Sequence, residues 1–382
     1  MPDNTAEQQL TSPLGSFTLR RFPLRKREKL RAWDAADAYL LSELEVTAGS
    51  RILILNDHFG AFSCSLAAFN PTTQTDSYLA AWSIRENLVA NGMEEKSVQR
   101  LSSLDELEGT YDLVLVRVTR TLALLEHELI KLKPHLTATS RVIGCGMVKQ
   151  IHTSTLGLFE KIIGPTTTSL AKRKARLIYC QPDLSLATPV SPYPQSYLLE
   201  ETPYTLYNHA NLFSREKLDI GTRFLLQHLP TTEGPGDIVD LGCGNGVLGL
   251  MVAHGNPEAN LLFVDESHMA VASAQKTFVE AGLKNSAIFR VGDCLSDSAD
   301  ESADLILCNP PFHQQQVMGD AVAWRMFSQA QKALRPGGEL WVIGNRHLSY
   351  QEKLKHLFGN VEQMASNKKF VILRSQVRQG HS

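Results

Sequence analysis

Three stretches of the first half of this chain recur, in the same order, in the second. Residues 111–120 (YDLVLVRVTR) match 303–312 (ADLILCNPPF), 132–144 (LKPHLTATSRVIG) match 334–344 (LRPGGELWVIG), and 170–180 (LAKRKARLIYC) match 364–375 (MASNKKFVILRS). A fourth pair, 53–63 (LILNDHFGAFS) with 238–249 (IVDLGCGNGVLG), aligns with its register uncertain by one residue. Such self-similarity means two copies of one supersecondary plan. Within each copy short apolar runs alternate with amphipathic ones, which is the pattern of an α/β unit on a parallel sheet. In the first copy the spacing predicts a helix over Trp33–Leu44 and strands over Arg51–Asn56, Tyr111–Val118 and Arg141–Gly146. It also predicts a helix ending at Asn91-Gly92 and one over Thr121–Leu132, closed by Pro134.

Between the copies, Pro182 to Pro203 carries five prolines and reads as a linker. The expected division is therefore 1–182, a linker over 183–203, and 204–382. A chain of 382 residues, 43% hydrophobic and 20% charged, can bury a core in each part. No run is apolar enough to span a bilayer and no signal peptide is evident, so no membrane partner is expected. The six cysteines lack paired spacing; Cys64, Cys145, Cys243 and Cys308 lie in or beside apolar runs and are expected as buried thiols. No cluster has zinc spacing, so no metal is expected. Together these features point to a reducing, cytoplasmic compartment. A monomer is expected, since the two copies can pack on each other.

A net charge of −2 rules out a uniformly basic surface. Local charge says more: Arg20–Arg31 (RRFPLRKREKLR) holds seven cations and one acid, and Lys172–Arg176 (KRKAR) four cations in five residues. Each alone is a solvated face or arm; two in one half favour a polyanionic partner. By the repeat, Lys172, Arg173 and Lys174 fall on a strand–strand turn, with Arg176 just beyond.

The copies differ where chemistry would sit. In the second, Val239–Gly246 (VDLGCGNG) joins an apolar strand to an apolar helix through Gly242, Gly244 and Gly246. A glycine loop at a helix N-terminus lets a ligand lie against bare backbone. Asp240 adds a carboxylate there, which disfavours a phosphate and favours a cationic or amine-bearing ligand, S-adenosylmethionine rather than NAD. Asp265, 25 residues past Asp240 at the end of the next strand, can hold both hydroxyls of a ribose. Asp293, ending a third strand, can accept from an adenine amino group. Before the loop, Ser214 and Lys217 suggest a helix start over Asn211–Gln227, a segment able to cover the ligand.

Next comes Asn309-Pro310-Pro311-Phe312 at a strand end. Neither proline offers an N–H, and Pro311 holds Pro310 extended, so the turn presents acceptors: the Asn309 side-chain oxygen and the Pro310 carbonyl. Two adjacent acceptors can hold both N–H bonds of a planar amine and aim its lone pair out of plane, toward a methyl sulfonium. That is catalysis by positioning, with no metal or nucleophilic side chain. Phe312 would stack on the ring that carries the amine. The first copy has only Gly60 in its loop and Arg117-Val118-Thr119-Arg120 at the turn. It keeps the core without the site.

With these residues in view, the second copy resembles the class I S-adenosylmethionine-dependent methyltransferases that act on exocyclic amines. A degenerate copy followed by an active one is similar to the bacterial ribosomal RNA guanine-N2 methyltransferases, on the large-subunit (23S) side of that group. The likeness runs nearly full length, through RRFP, LILNDHFGA, IHTSTLGLFEKIIGPTTTSLA, NHANLFSR, LQHLP, VDESHMAVAS, NPPFHQQ and GNRHLSY. It implies two tandem Rossmann-like methyltransferase domains, the first degenerate and RNA-binding, the second active. It implies methyl transfer from S-adenosylmethionine, leaving S-adenosylhomocysteine, to the N2 amine of one guanine of 23S rRNA (the guanine 1835 type). By position, Asp240, Gly242, Cys243, Gly244 and Gly246 would hold the methionine part of the cofactor, Asp265 the ribose and Asp293 the adenine. Asn309, Pro310, Pro311 and Phe312 would hold the guanine. This chain departs from the family mainly in a longer basic N-terminal arm and in the KRK run.

Three other readings stand beside this one. A small-subunit (16S) guanine enzyme would share fold and turn. A protein methyltransferase could use the same turn on a glutamine amide, without needing a basic first copy. A non-catalytic RNA-binding assembly factor would not need intact glycines or Asn309. Arg346 and His347, after the last central strand, are left without a role.

Overall fold

The computed structural model describes residues 8–25, 28–311 and 316–379, without the side chains of 316–318. The chain divides into two compact units between Pro192 and Tyr193, inside the proline-rich stretch. That stretch is not all irregular: Gln195–Leu198 pairs with Thr205–Asn208 as a hairpin belonging to the second unit.

The first unit is built on seven strands: β1 (Ile52–Leu55), β2 (Thr72–Thr75), β3 (Gln99–Ser102), β4 (Leu113–Arg117), β5 (Arg141–Met147), β6 (Thr166–Thr168) and β7 (Ala175–Cys180). They lie in the order β3-β2-β1-β4-β5-β7-β6, with β7 antiparallel to both neighbours and the other pairs parallel. The second unit repeats the plan with β8 (Gly236–Leu241), β9 (Ala259–Asp265), β10 (Ala287–Val291), β11 (Ala303–Cys308), β12 (Leu334–Asn345), β13 (Glu362–Ser366) and β14 (Phe370–Gln376). Its order is β10-β9-β8-β11-β12-β14-β13, the same permutation. The repeat seen in the sequence is thus a repeat of topology.

The central strands are unbroken apolar runs because helices cover both faces of a parallel sheet. Alternate residues serve opposite cores: Ile52, Ile54, Leu113 and Leu115 one face, Leu53, Leu55, Val114 and Val116 the other. In the second unit Ile238, Leu305 and Leu307 face one core, and Val239, Leu241, Ile306 and Cys308 the other.

The expected helices form as α1 (Ala35–Glu43), α2 (Tyr78–Ala90) and α3 (Leu122–Leu132). α1 is closed by a capping box of Asp34 and Asp37. In the second unit the helix before the glycine loop starts later than its sequence suggested. Ser214 has a left-handed φ of 55°, and α4 runs over Ile220–Leu226, capped by Asp219, whose carboxylate accepts from Gly221 and Thr222 N–H. Asp219, not Ser214, meets the first free N–H groups, so the helix begins at Ile220. Then come α5 (Val247–Gly255), α6 (His268–Ala281) and α7 (Gln316–Ala333). Among the described residues no helix is long and apolar enough to cross a membrane, and no His, Cys, Asp and Glu cluster could hold a metal ion.

Candidate active site

The register of four parallel strands brings the sequence motifs together. Leu241 of β8 pairs with Val264 of β9 and with Cys308 of β11, and Asp265 pairs with Val291 of β10. The glycine loop, Asp265, Asp293 and Asn309 therefore all leave the sheet at its carboxyl edge. Strand order reverses there between β8 and β11, the place where open α/β sheets take ligands. The Asn309 carbonyl lies 3.9 Å from where a Gly242 side chain would begin, so loop and turn adjoin.

The loop is shaped mostly by its own backbone. Gly242 and Cys243 N–H both donate to the Val264 carbonyl, at 2.8 and 3.0 Å, and Gly246 N–H donates to the Cys243 carbonyl at 2.8 Å. Cys243 has its thiol buried, and burial raises that thiol well above its ordinary pKa. Its backbone forms the turn. Gly244 N–H donates to Asp265 Oδ2 at 3.1 Å, and Ser267 N–H to Oδ1 at 3.0 Å, which fixes the Asp265 carboxylate against the loop. Gly246 caps α5 at a φ of 79°, and a Cβ there would lie 2.9 Å from Ala274 Cβ. Gly244, at a φ of 53°, differs: a Cβ there would meet nothing within 4 Å. Its glycine borders open space beside the backbone.

Asp240 is almost fully buried. Its Oδ2 accepts from Gly249 N–H at 2.9 Å, while Oδ1 is buried without a partner among the described residues. Burial pushes its carboxyl up to about 7, with Asp265 adding to the rise and the Gly249 N–H opposing it. Asp293 lies two residues beyond β10, and its Oδ2 takes a 2.8 Å ion pair from Arg325 of α7. Its Oδ1 is also buried without a hydrogen-bond partner among the described residues.

Asn309 Nδ2 donates to Thr222 Oγ1 at 2.9 Å, and Asn309 Oδ1 is left buried with no partner among the described residues. Each unmet buried polar atom costs about 1–3 kcal/mol, so three at one sheet edge mark a place for a ligand bearing donors. Those oxygens and the space at Gly244 fit an aminated, ribose-bearing ligand such as S-adenosylmethionine. Pro310 is buried and Pro311 exposed; Phe312 lies outside the described residues. Thr222 and Arg325 were not singled out in the sequence. Asp219, read as a cap, would have placed Thr222 in the first turn of α4; nothing local marks Arg325.

The first unit closes the same place with its own side chains. Leu55 pairs with Val116 as Leu241 does with Cys308, so Gly60 stands at the position of Gly246, His58 at that of Gly244 and Arg117 at that of Asn309. This settles the register of the fourth repeat. Buried Arg117 pairs with Asp37 at 2.9 Å and with Asp34. Asp37 follows its cap Asp34 by three residues as Thr222 follows Asp219. A neutral amide–hydroxyl pair in one unit is a buried ion pair in the other.

The expected RNA contacts lie elsewhere on the first unit. Lys172 bridges to Ala175, and Arg173 and Lys174 between them have φ of 51° and 63°, a tight hairpin tip joining β6 to β7. All three are exposed; Lys172 also pairs with Glu43 at 3.3 Å. Arg176 is half-buried on β7, with its Nε buried and without a hydrogen-bond partner among the described residues. In the basic arm Arg21 stacks over Phe59 at 4.5 Å, while Lys26 and Arg27 lie outside the described residues.

Residues 7–184 match the RLMG N-terminal domain family and residues 203–374 the methyltransferase small domain family. The chain is 52% identical to the ribosomal RNA large subunit methyltransferase G of Streptomyces avermitilis, over 96% of this chain and 98% of that one. It is 49% identical to the protein of the same name from Stutzerimonas stutzeri, over 96% and 98%. Among solved structures, the T. thermophilus 16S rRNA N2 G1207 methyltransferase in complex with AdoMet and guanosine shares the fold, with a TM-score of 0.78, 23% identity and 97% of each chain covered.

Proposed function

The chain belongs to the ribosomal RNA large subunit methyltransferase G family and is an rRNA methyltransferase; we propose that it methylates the exocyclic N2 amine of one guanine of 23S rRNA, of the 1835 type, using S-adenosylmethionine. The observation that carries this reading is the buried Asn309 Oδ1, without a partner among the described residues and held next to an open glycine loop. In this assignment Asp240 and the backbone of Gly242, Gly244 and Gly246 hold the methionine part of the cofactor, with Cys243 shaping the turn. Asp265 holds the ribose and Asp293 the adenine. When bound, S-adenosylmethionine supplies an electrophilic methyl group on its sulfonium.

The rest is done by the chain. Asn309 Oδ1 accepts one N–H of the guanine amine and the Pro310 carbonyl accepts the other. Both acceptors pull the nitrogen out of conjugation, so its lone pair points away from the ring plane. Thr222 keeps the Asn309 amide turned so that oxygen, not nitrogen, faces the amine. Pro311 keeps the turn extended and Phe312 stacks on the base. A paired guanine cannot reach such a turn, so the target is a loop nucleotide or one flipped from its stack. On the first unit Lys172, Arg173, Lys174 and Arg176 hold phosphate. The protein works as a cytoplasmic monomer.

The reading is tested with labelled S-adenosylmethionine and unmodified naked 23S and 16S rRNA, followed by nucleoside analysis. N2-methylguanosine in 23S alone is expected. Label in 16S alone would move the chain to the small-subunit reaction. No label in either RNA, or in assembled subunits, would overturn the catalytic reading.

A further inference from the structure

Strand β12 carries the sheet edge of the second unit one step beyond Asn309, since Val342 pairs with Cys308. It ends at Asn345, paired with Phe370 at the start of β14, and Arg346 follows. Arg346 N–H donates to the Lys369 carbonyl at 3.0 Å, and its Nη1 to the Asn367 carbonyl at 3.4 Å. Asn367 Oδ1 in turn accepts from Lys369 and Phe370 N–H, at 2.9 and 2.8 Å. The β13–β14 tip is thus a closed turn with Arg346 locked onto it.

Arg346, Lys368 and Lys369 are all exposed, and among the described residues no carboxylate pairs with any of them. Three unneutralised cations fixed on one rigid turn favour a polyanion. The topology supplies a second argument. Ala175 pairs with Met147 in the first unit as Phe370 pairs with Asn345 in the second, so this tip is the counterpart of Arg173-Lys174. Here it stands on the edge that holds Asn309. A third observation comes from Asn345, which is 8% exposed with its Oδ1 buried and without a partner among the described residues. Phosphate offers no donor to that oxygen, whereas a ribose 2′-hydroxyl does.

We propose that Asn345, Arg346, Lys368 and Lys369 form an RNA-backbone site on the catalytic unit, which takes the phosphates and a ribose hydroxyl of the strand entering the Asn309 turn. It rests on the methyl-transfer reading for its substrate, and gives the second unit its own grip on RNA. Arg346 and the two lysines then set RNA affinity without touching the cofactor.

The experiment compares wild type with an Arg346→Gln, Lys368→Gln, Lys369→Gln variant of the full chain, binding a 23S rRNA fragment across a salt series. The three side chains are exposed, and the one bond lost, from Arg346 Nη1 to the Asn367 carbonyl, is a 3.4 Å surface contact beside a backbone bond that stays, so melting and S-adenosylmethionine affinity should change little. The slope of log affinity against log salt should fall by roughly 2, since each lost single-strand phosphate contact contributes about 0.7. KM for RNA should rise with kcat little changed. Unaltered affinity and slope would overturn the site, as would equal binding of a DNA strand of the same sequence for its ribose contact. Failure of wild type to methylate any rRNA would count against the catalytic reading instead, because the salt series reads binding alone.

Discussion

The Asn309 amide donates to the Thr222 hydroxyl across 2.9 Å, joining a turn at the end of β11 to the first turn of α4. Because the hydroxyl takes the nitrogen, the oxygen is left for a ligand. Asn309→Ala should lower kcat by roughly 10²–10³-fold with cofactor affinity retained, the usual scale for losing one aimed hydrogen bond at a reacting group. Thr222→Val should cost about tenfold in kcat, equivalent to about 1.4 kcal/mol, while Thr222→Ser keeps near-normal turnover. Single-turnover methyl transfer checks both, and a serine variant as slow as the valine one would contradict the positioning role.

Gly244 and Gly246 share a left-handed backbone, yet should fail differently. At Gly246 an added methyl strikes the Ala274 backbone, with Cα 3.0 Å away, so Gly246→Ala should lower the melting temperature sharply. At Gly244 the methyl enters open space, and only the conformational cost of about 1–2 kcal/mol applies. Gly244→Ala should therefore remain folded and lose cofactor affinity. Calorimetry of unfolding and of S-adenosylmethionine binding on the two variants would separate the cases.

Asp240 should make cofactor affinity depend on pH near neutrality. Its folded pKa, about 7, is raised above the ordinary carboxyl value. The protonated form is favoured by folding, so its stability contribution is full below about pH 4 and is lost as pH rises through about 7. Binding of an ammonium-bearing ligand needs the ionised form, so affinity should rise between pH 6 and 8. A flat profile in Asp240→Asn, with wild type rising, is the expected titration result; parallel profiles would remove Asp240 from the site.

Arg117 seals the first unit. Arg117→Met leaves Asp37 buried without its partner and should cost about 3–5 kcal/mol of stability. Cofactor affinity should be untouched, because the second unit alone has an open glycine loop. Denaturant unfolding with a parallel binding titration measures both; weakened cofactor binding in a folded Arg117→Met chain would argue for a ligand role in the first unit.

The Lys172–Lys174 tip should hold RNA less strongly than its charge suggests, since Lys172 is paired with Glu43. Neutralising Lys172, Arg173 and Lys174 together should weaken 23S rRNA binding and lower the salt slope by about 2 or less. Unchanged binding across the salt series would remove this hairpin from the interface.

The sequence alone determined the tandem α/β plan, most element positions and the motif residues of the carboxyl edge. Those features are local: a period of apolar residues, a glycine run, or a strand ending in Asn-Pro-Pro is written in consecutive letters. It misjudged the start of α4, where the Asp219 carboxylate, not Ser214, supplied the cap. The tertiary structure decided what no spacing encodes. Thr222 and Asn309 meet across 87 residues, Arg325 and Asp293 across 32, and Arg117 across 80 from Asp37. Each of these contacts is made where a helix packs at the carboxyl edge of its sheet. Strand register brings Arg346 beside Lys369, and the fold leaves Asn309 Oδ1 without a partner among the described residues.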